Sequence, residues 1–439
     1  MFQSTLLCLA LAVASVHSFA LHDHGVGHVH RSNRRYFKDG SWSQPQDHSV
    51  NALFKRGPGN DGAQYPALGS SEWSSKYPKA GSTPPRDSLP KEWVDTLNAA
   101  IASGKIPDIP KTTIGPTGNP VYSNGLDPTS KEVCSSTYEC RGPESVWDGP
   151  DGTFGISFDD GPLEPTTSLV NFLKDNKETA THFMIGGNIL NNHKQFQDIL
   201  DYGGDCAVHT WSHQYMTTLS NEEVLAELGW TMQIIHDSTG GKVPSIWRPP
   251  YGDSDLRVQA IAKEVFGMDT VIWNHDTGDW GMTTGINTMD SLLKNMDSWL
   301  AGPKSPGLVV LEHESTDQIV RSFMESYPRV KSNGWQTKSL AALLGDPYQN
   351  VKGNDVSPAN IYGNANANVN TNSNSSTSAT TTNGAAPTSV KSTGSSSTSG
   401  TSTTAASANN NNSALASTSL SSIWLAVVVA LASASLVLS

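Results

Sequence analysis

The residues able to do chemistry in this sequence fall into short clusters lying tens of positions apart. Ser157-Phe158-Asp159-Asp160-Gly161-Pro162 carries two neighbouring carboxylates, and His209-Thr210-Trp211-Ser212-His213 carries two imidazoles four positions apart. Farther on come Arg248-Pro249-Pro250-Tyr251-Gly252-Asp253, then Asp276-Thr277-Gly278-Asp279-Trp280, then Leu311-Glu312-His313. Two neutral imidazole nitrogens can be presented to one divalent ion, and one carboxylate completes a three-ligand set with positions left for water and substrate. An open set of that kind is catalytic in character, whereas a structural zinc site is closed, usually by thiolates. Adjacent side chains diverge, so Asp159 and Asp160 cannot share one job: one can hold the ion while the other accepts a proton. His313 and Arg248 then supply an acid and a charge partner, and the combination fits metal-assisted hydrolysis of an acyl group.

Taken singly these clusters mean little. An Asp-Asp-Gly-Pro run is usually a turn, and a lone His-x3-His is more often a surface or core pair. Their position supplies the weight, because each follows a strand-like run. Those runs lie at 154–158, 182–185, 206–209, 245–247, 270–274 and 308–311, and helical periodicity occupies 167–176, 189–202, 221–237, 256–266, 289–300 and 318–331. Thr166, Asn221 and Asp255 stand where helix caps are expected. Repeated strand-then-helix alternation predicts a parallel sheet with crossover helices, as a doubly wound sheet or a (β/α) barrel. In either fold the carboxyl ends of the strands form one face on which the clusters converge.

The chain has 439 residues, of which only 16% are charged and 36% hydrophobic, with a formal net charge of −12. That charge fraction is below the ~25% of ordinary soluble domains because Ser, Thr, Asn, Gly and Pro crowd the two ends. An acidic balance argues against a nucleic-acid partner, which calls for a basic patch. Residues 6–16 are apolar and precede Ser18-Phe19-Ala20, so residues 1–20 read as a secretory signal. Residues 21–145 are expected to be a largely irregular extension, with one helix-like piece at 89–102, a His tract (His22, His24, His28, His30) and dibasic pairs at Arg34-Arg35 and Lys55-Arg56 where a pro-segment would be trimmed. The main domain spans 146–350, and 351–412 is a Ser/Thr/Asn-rich stalk too polar to bury a core. Its sequons at Asn374 and Asn411 are glycosylation acceptors. Residues 413–439 end in an uncharged apolar tail behind small residues, the pattern of a GPI-attachment signal, with Asn412 as the expected attachment site and Asn411 or Ser413 as alternatives. A lipid-anchored protein on the outer face of the plasma membrane, facing the cell wall, follows. Of the four cysteines, Cys8 leaves with the signal. Cys134 and Cys140 are the expected disulfide and Cys206 a buried thiol, although pairing of Cys206 with either remains open.

The clusters, in this order, resemble the NodB-homology polysaccharide deacetylases, and within them the secreted fungal chitin deacetylases, over about residues 145–345. The resemblance implies a distorted (β/α) barrel and a divalent metal, zinc or cobalt. It makes Asp159 the general base and Asp160, His209 and His213 the metal ligands. Arg248 would position Asp159, the Tyr251 backbone N–H would donate to the oxyanion, and His313 would be the general acid, oriented by Asp276. Trp280 and Leu311 would wall the pocket for the acetyl methyl. Ser157 and Glu312 depart from the family pattern, and Glu312 would perturb the acidity of His313. The substrate so implied is chitin, with acetylxylan or peptidoglycan as rivals; a catalytically dead wall-binding protein would lack Asp159 or a metal ligand, and the complete site also favours an enzyme over an adhesin in which the stalk is the point.

Overall fold

The computed structural model describes residues 41–54 and 65–345; the expected signal, stalk, sequons, Asn412 and His tract lie outside them. The extension contributes helical turns α1 (Asn51–Phe54) and α2 (Ser71–Ser74), helix α3 (Lys91–Ala102) and an antiparallel hairpin of β1 (Thr112–Ile114) and β2 (Pro120–Tyr122). The main sheet comprises β3 (Ser145–Val146), β4 (Thr153–Asp159), β5 (Thr181–Met184), β6 (Asp205–Val208), β7 (Ile246–Trp247), β8 (Asp269–Val271), β9 (His275–Asp276), β10 (Leu308–Leu311) and β11 (Gln336–Ser339). Between them run α4 (Thr166–Asn176), α5 (Gly186–Asn191), α6 (His193–Tyr202), α7 (Asn221–Ser238), α8 (Leu256–Phe266), α9 (Met289–Leu300), α10 (Asp317–Ser332) and α11 (Leu340–Gly345).

All pairings in this sheet are parallel, in the order β3-β8-β7-β6-β5-β4-β10-β9, with β11 beside β4. One run, 269–276, closes the circuit: its first half, β8, pairs with β7, and its second half, β9, pairs with β10. Asn274 stitches the seam, because its N–H donates to Val309 O at 2.9 Å while its side-chain oxygen accepts from Val309 N–H at 3.0 Å. The result is a distorted (β/α) barrel rather than an open doubly wound sheet. Strand β4 is buried at all seven positions, as a parallel strand covered on both faces should be, with the polar Thr153, Ser157 and Asp159 buried among its apolar residues.

Local expectations differ from the structure in instructive places. The helix expected at 189–202 is two helices, because Asn192 leaves the helical region at φ −121°, ψ 46°. Ser220, not Asn221, caps α7: its hydroxyl accepts from Glu223 N–H while Glu223 accepts from Ser220 N–H, a capping box. Thr166 is the first residue of α4, behind Pro165, whereas Asp255 caps α8 by accepting from Val258 N–H at 2.9 Å.

The extension holds few regular elements, yet its aromatic side chains belong to the main core. Trp42, Phe54, Trp73 and Trp93 are buried in the same cluster as Ile246 and Phe266. Helix α7 is therefore buried almost all round, since one side packs on the barrel and another on the extension. Trp93 meets Trp230 edge-on with centroids 5.5 Å apart and Phe266 at 5.8 Å, and its Nε1–H donates to Leu53 O at 3.1 Å. The contact requires glycine at 229, where a Cβ would lie 2.4 Å from Trp93 Cζ3.

Overpacking of this kind costs about 1–3 kcal/mol, and emptying a tryptophan site about 3–5 kcal/mol. Gly229→Ala and Trp93→Ala should each lower stability in denaturant titrations by such amounts, and the double variant should lose clearly less than the two together. Strict additivity would show that α7 and the extension are not coupled at this contact.

Candidate active site

Each chemical cluster lies at or just past the carboxyl end of a strand, and sharp backbone turns aim the side chains inward. Asp159 ends β4; Asp160 follows with φ +74°, Thr210 and His213 after β6 have φ +66° and +60°, and Tyr251 after β7 has φ +58°. Left-handed backbone at non-glycine residues persists only where the surroundings hold it. Glu227, on α7 beneath the histidine loop, accepts from Trp211 N–H and Ser212 N–H at 2.8 Å each and from Ser212 Oγ–H at 2.6 Å. Thr210 Oγ1 accepts from His213 N–H at 3.1 Å. Under the aspartate turn lies Glu314, 3.0 Å from His182 Nδ1 and wholly buried; a Cβ on Gly161 would sit 1.9 Å from its Oε1.

Asp160 Oδ1 lies 3.5 Å from His209 Nε2 and 3.2 Å from His213 Nε2. His209 Nδ1 is 2.7 Å from the Arg248 carbonyl oxygen, so that nitrogen carries the hydrogen and Nε2 turns its lone pair toward the carboxylate. Asp160 Oδ1 is buried and has no hydrogen-bond partner. Among the described residues, Asp160, His209 and His213 form a group whose ligand atoms all lie within 4.8 Å of one another. An orphaned carboxylate oxygen facing two imidazole nitrogens fits one divalent cation. Burial alone pushes the Asp160 carboxyl up, but the His213 charge and the contacts of both imidazoles outweigh it and hold the group well below the usual carboxylate range. The cradle therefore keeps Asp160 ionised beside positive charge.

Asp159 faces the other way. Its Oδ1 accepts from Arg248 Nη1–H at 2.7 Å, and its Oδ2 is 3.9 Å from His209 Nε2. The fully buried Arg248 guanidinium stacks over the Phe183 ring at 4.2 Å and donates through Nη2 to Ser157 Oγ at 3.2 Å and Ile272 O at 3.4 Å. Its pKa is depressed by burial, against which the Asp159 charge acts.

The partner of His313 is Asp279, not the expected Asp276. His313 Nδ1 is 2.6 Å from Asp279 Oδ1, and His313 N–H donates to Asp279 Oδ2 at 2.8 Å. Gly278, at φ +69°, swings Asp279 back under the histidine. Asp276 instead accepts from Gly278 N–H at 2.7 Å and from Trp280 Nε1–H at 3.4 Å, and burial with Asp279 nearby pushes it up to about 7. Burial lowers the His313 pKa, but the charge and hydrogen bond of Asp279 raise it to about 10, so the ring is cationic at neutral pH. Glu312 is buried beside this pair, its carboxyl pushed well above the usual range by burial and then by Asp279. Asp159 and His313 are bridge partners between parallel strands, which places the two clusters side by side.

The rim is aromatic and apolar. Tyr251 is 43% exposed, with its ring 4.6 Å from His213 and stacked on Tyr215 at 4.0 Å; Trp280 is 40% exposed and Leu311 is buried at the end of β10. Cys134 and Cys140 form a disulfide, and Cys206 is a buried free thiol. The roles of Asp279, Glu227 and the His182–Glu314 pair emerge only in the structure. Only Asp279 left a trace, as the second acid of Asp276-Thr277-Gly278-Asp279.

The polysaccharide deacetylase family model matches residues 148–271. Chitin deacetylase 3 of Cryptococcus neoformans is 39% identical over 322 residues, covering 72% of this chain and 76% of that protein. A chitin deacetylase of Amylomyces rouxii is 35% identical over 218 residues, covering 48% of this chain and 50% of that one. The structure of the chitin deacetylase from Colletotrichum lindemuthianum aligns with a TM-score of 0.43 at 24% identity, covering 46% of this chain and 92% of that one. On the family match and the 39% identity to a relative covered over 76% of its length, the chain belongs to the polysaccharide deacetylase family and is an enzyme of that class.

Proposed function

We propose that this protein hydrolyses the N-acetyl groups of chitin, releasing acetate and leaving glucosamine units, with a divalent metal held by Asp160, His209 and His213. The observation that carries the reading is the placing of an open carboxylate–imidazole set beside one carboxylate paired with Arg248 and across from one imidazole paired with Asp279. The ion, zinc or cobalt on this donor set, would supply Lewis acidity to the acetyl carbonyl and to the attacking water. Asp159 takes the proton of that water as its oxygen attacks the carbonyl carbon, and the Arg248 contact at Oδ1 leaves Oδ2 to do so. The Tyr251 backbone N–H donates to the developing oxyanion. His313, bound through Nδ1 to Asp279, delivers the Nε2 proton to the departing amine as the C–N bond breaks. Trp280 and Leu311 wall the acetyl methyl. Chitin is neutral, so an acidic protein needs no basic groove to bind it, and the curated relatives named above are chitin deacetylases. Attachment through Asn412 to a GPI anchor, at the outer face of the plasma membrane and against the cell wall, completes the proposal.

A chelator should abolish acetate release from chitin oligomers, and zinc or cobalt should restore it. Asp159→Asn should keep its metal by elemental analysis yet lose about 10²–10⁴-fold in rate, whereas Asp160→Ala should lose metal. Equal metal loss in both variants would undo the division of labour between them, and acetate release undiminished in a metal-free sample would remove the ion from the reaction. Activity on acetylxylan alone would move the substrate away from chitin.

Because Asp279 raises the His313 pKa, its removal must lower it, and the alkaline limb of the pH–rate profile should move to lower pH. For Asp279→Asn the expected displacement is about 1–3 pH units, the span a neighbouring opposite charge commands. Asp276→Asn, which removes no contact to His313, should leave that limb in place. The reverse pattern would restore Asp276 as the orienting acid.

Phosphatidylinositol-specific phospholipase should release the active enzyme from membranes, and deletion of residues 413–439 should send it into the medium. Retention of the truncated form on membranes would refute the anchor.

A further inference from the structure

The turn carrying Tyr251 is held from behind by residues that no catalytic step uses. Thr137 Oγ1–H donates to Asp253 Oδ1 at 2.6 Å, Ser136 Oγ–H donates to Gly252 O at 2.6 Å, and Ser136 N–H donates to Ser254 O at 2.8 Å. Ser254 N–H returns a bond to Ser136 Oγ at 3.1 Å. Asp253 has a second set of partners on the metal-ligand side: Oδ2 accepts from Thr217 N–H at 2.8 Å, and both oxygens lie 2.9 Å from Thr217 Oγ1. Ser136, Thr137, Thr217, Asp253 and Ser254 are all buried. Burial pushes the Asp253 carboxyl up to about 6, opposed by the bonds from Thr137 and Thr217.

The geometry is that of a clamp. Residues 134–140 come from the extension and are closed into a loop by the Cys134–Cys140 disulfide. Through Asp253 that loop is tied at once to the turn bearing Tyr251 and to the segment just past His213, and the two segments meet again where Tyr215 stacks on Tyr251. Tyr251 itself holds φ +58°, a conformation a tyrosine keeps only when its neighbours over-determine it. We propose that Thr137 and Asp253 are positioning residues, by which the disulfide-closed loop of the extension fixes the Tyr251 backbone N–H over the reacting carbonyl. The inference rests on the reading of that N–H as the oxyanion donor.

Thr137→Val removes the bond to Asp253 with little change in shape, Thr137→Ser preserves it, and Asp253→Asn weakens the same hub if the valine variant does not accumulate. All are compared as full-length, metal-loaded enzyme. Displacing an oxyanion donor costs up to about 10²-fold or more, so a tenfold or greater fall in kcat on chitin oligomers is expected for Thr137→Val. KM and metal content should stay within about twofold of the parent, and Thr137→Ser should recover kcat. Amide hydrogen exchange across 251–256 should accelerate in the valine variant while that of β4 is unchanged. Unaltered exchange across 251–256 would overturn the clamp, and so would acceleration spread equally over the barrel, which marks a merely structural contact. Local acceleration with kcat intact would overturn the catalytic role of the clamp and the oxyanion reading with it. A parent enzyme that releases no acetate from chitin would instead refute the substrate reading, and the exchange data would still judge the clamp.

Discussion

The buried pair of Arg248 and Asp159 is the constraint on which the rest of this site depends. A guanidinium with no exposure loses its hydration, and its counter-charge, two further acceptors and the Phe183 face are arranged to replace it. Removing one partner of such a pair costs about 3–5 kcal/mol because the other is left charged and alone. The same residue reaches the metal side through its backbone, where the Arg248 carbonyl takes the His209 Nδ1 hydrogen. One residue therefore fixes the carboxylate that would accept a proton and the tautomer of an imidazole that would hold the ion. Neither can move without disturbing the other.

Around this pair the strain is concentrated. Asp160, Thr210, His213 and Tyr251 are all non-glycine residues in the left-handed region, and all four border the ligand set. Polar groups from neighbouring elements brace these turns: Glu227 on α7 binds Trp211 and Ser212, Asn188 on α5 donates to Asp160 O at 2.8 Å, and Asp253 with its threonines backs the Tyr251 turn. The barrel supplies rigid strand ends, and buried acids from adjoining helices and loops convert those ends into turns. Carboxylates that never touch substrate thus set the aim of those that would.

What could be read from the sequence follows from how local each signal is. Asp159, Asp160, His209, His213, Arg248 and His313 stand at ends of apolar runs, so their convergence follows from the parallel fold alone. The choice between Asp276 and Asp279 turned on the positive φ of Gly278, which no periodicity expresses. Glu227 sits in a helix that also carries Glu222, Glu223 and Asp237, and nothing in the pattern marks which of these acids turns inward to the histidine loop. The aromatic residues of the extension were illegible for a different reason. Trp42, Phe54, Trp73 and Trp93 reach the core largely from short turns and loops, and a core assembled from such pieces leaves no repeat of two or of 3.6. Strand β11, Gln336–Ser339, is polar and mostly unburied, so the usual strand signal is absent there too.

Two histidines show how the same side chain is set to opposite tasks. His209 gives its Nδ1 hydrogen to a neutral carbonyl, which orients the ring without stabilising a positive charge and so leaves Nε2 a lone-pair donor. His313 gives the equivalent hydrogen to the Asp279 carboxylate, which stabilises the imidazolium and keeps Nε2 protonated to about pH 10. Exchange of these partners would produce a cationic imidazole in the ligand set and a neutral one where an acid is required. The difference between ligand and acid is thus made one residue away from the ring, by whether its partner carries a charge. That is why a carboxylate belongs behind His313 and a backbone oxygen behind His209. Glu312 and Asp276 add the converse constraint, because burial holds both carboxyls toward the neutral form, so Asp279 is the acid left to carry the charge that His313 needs.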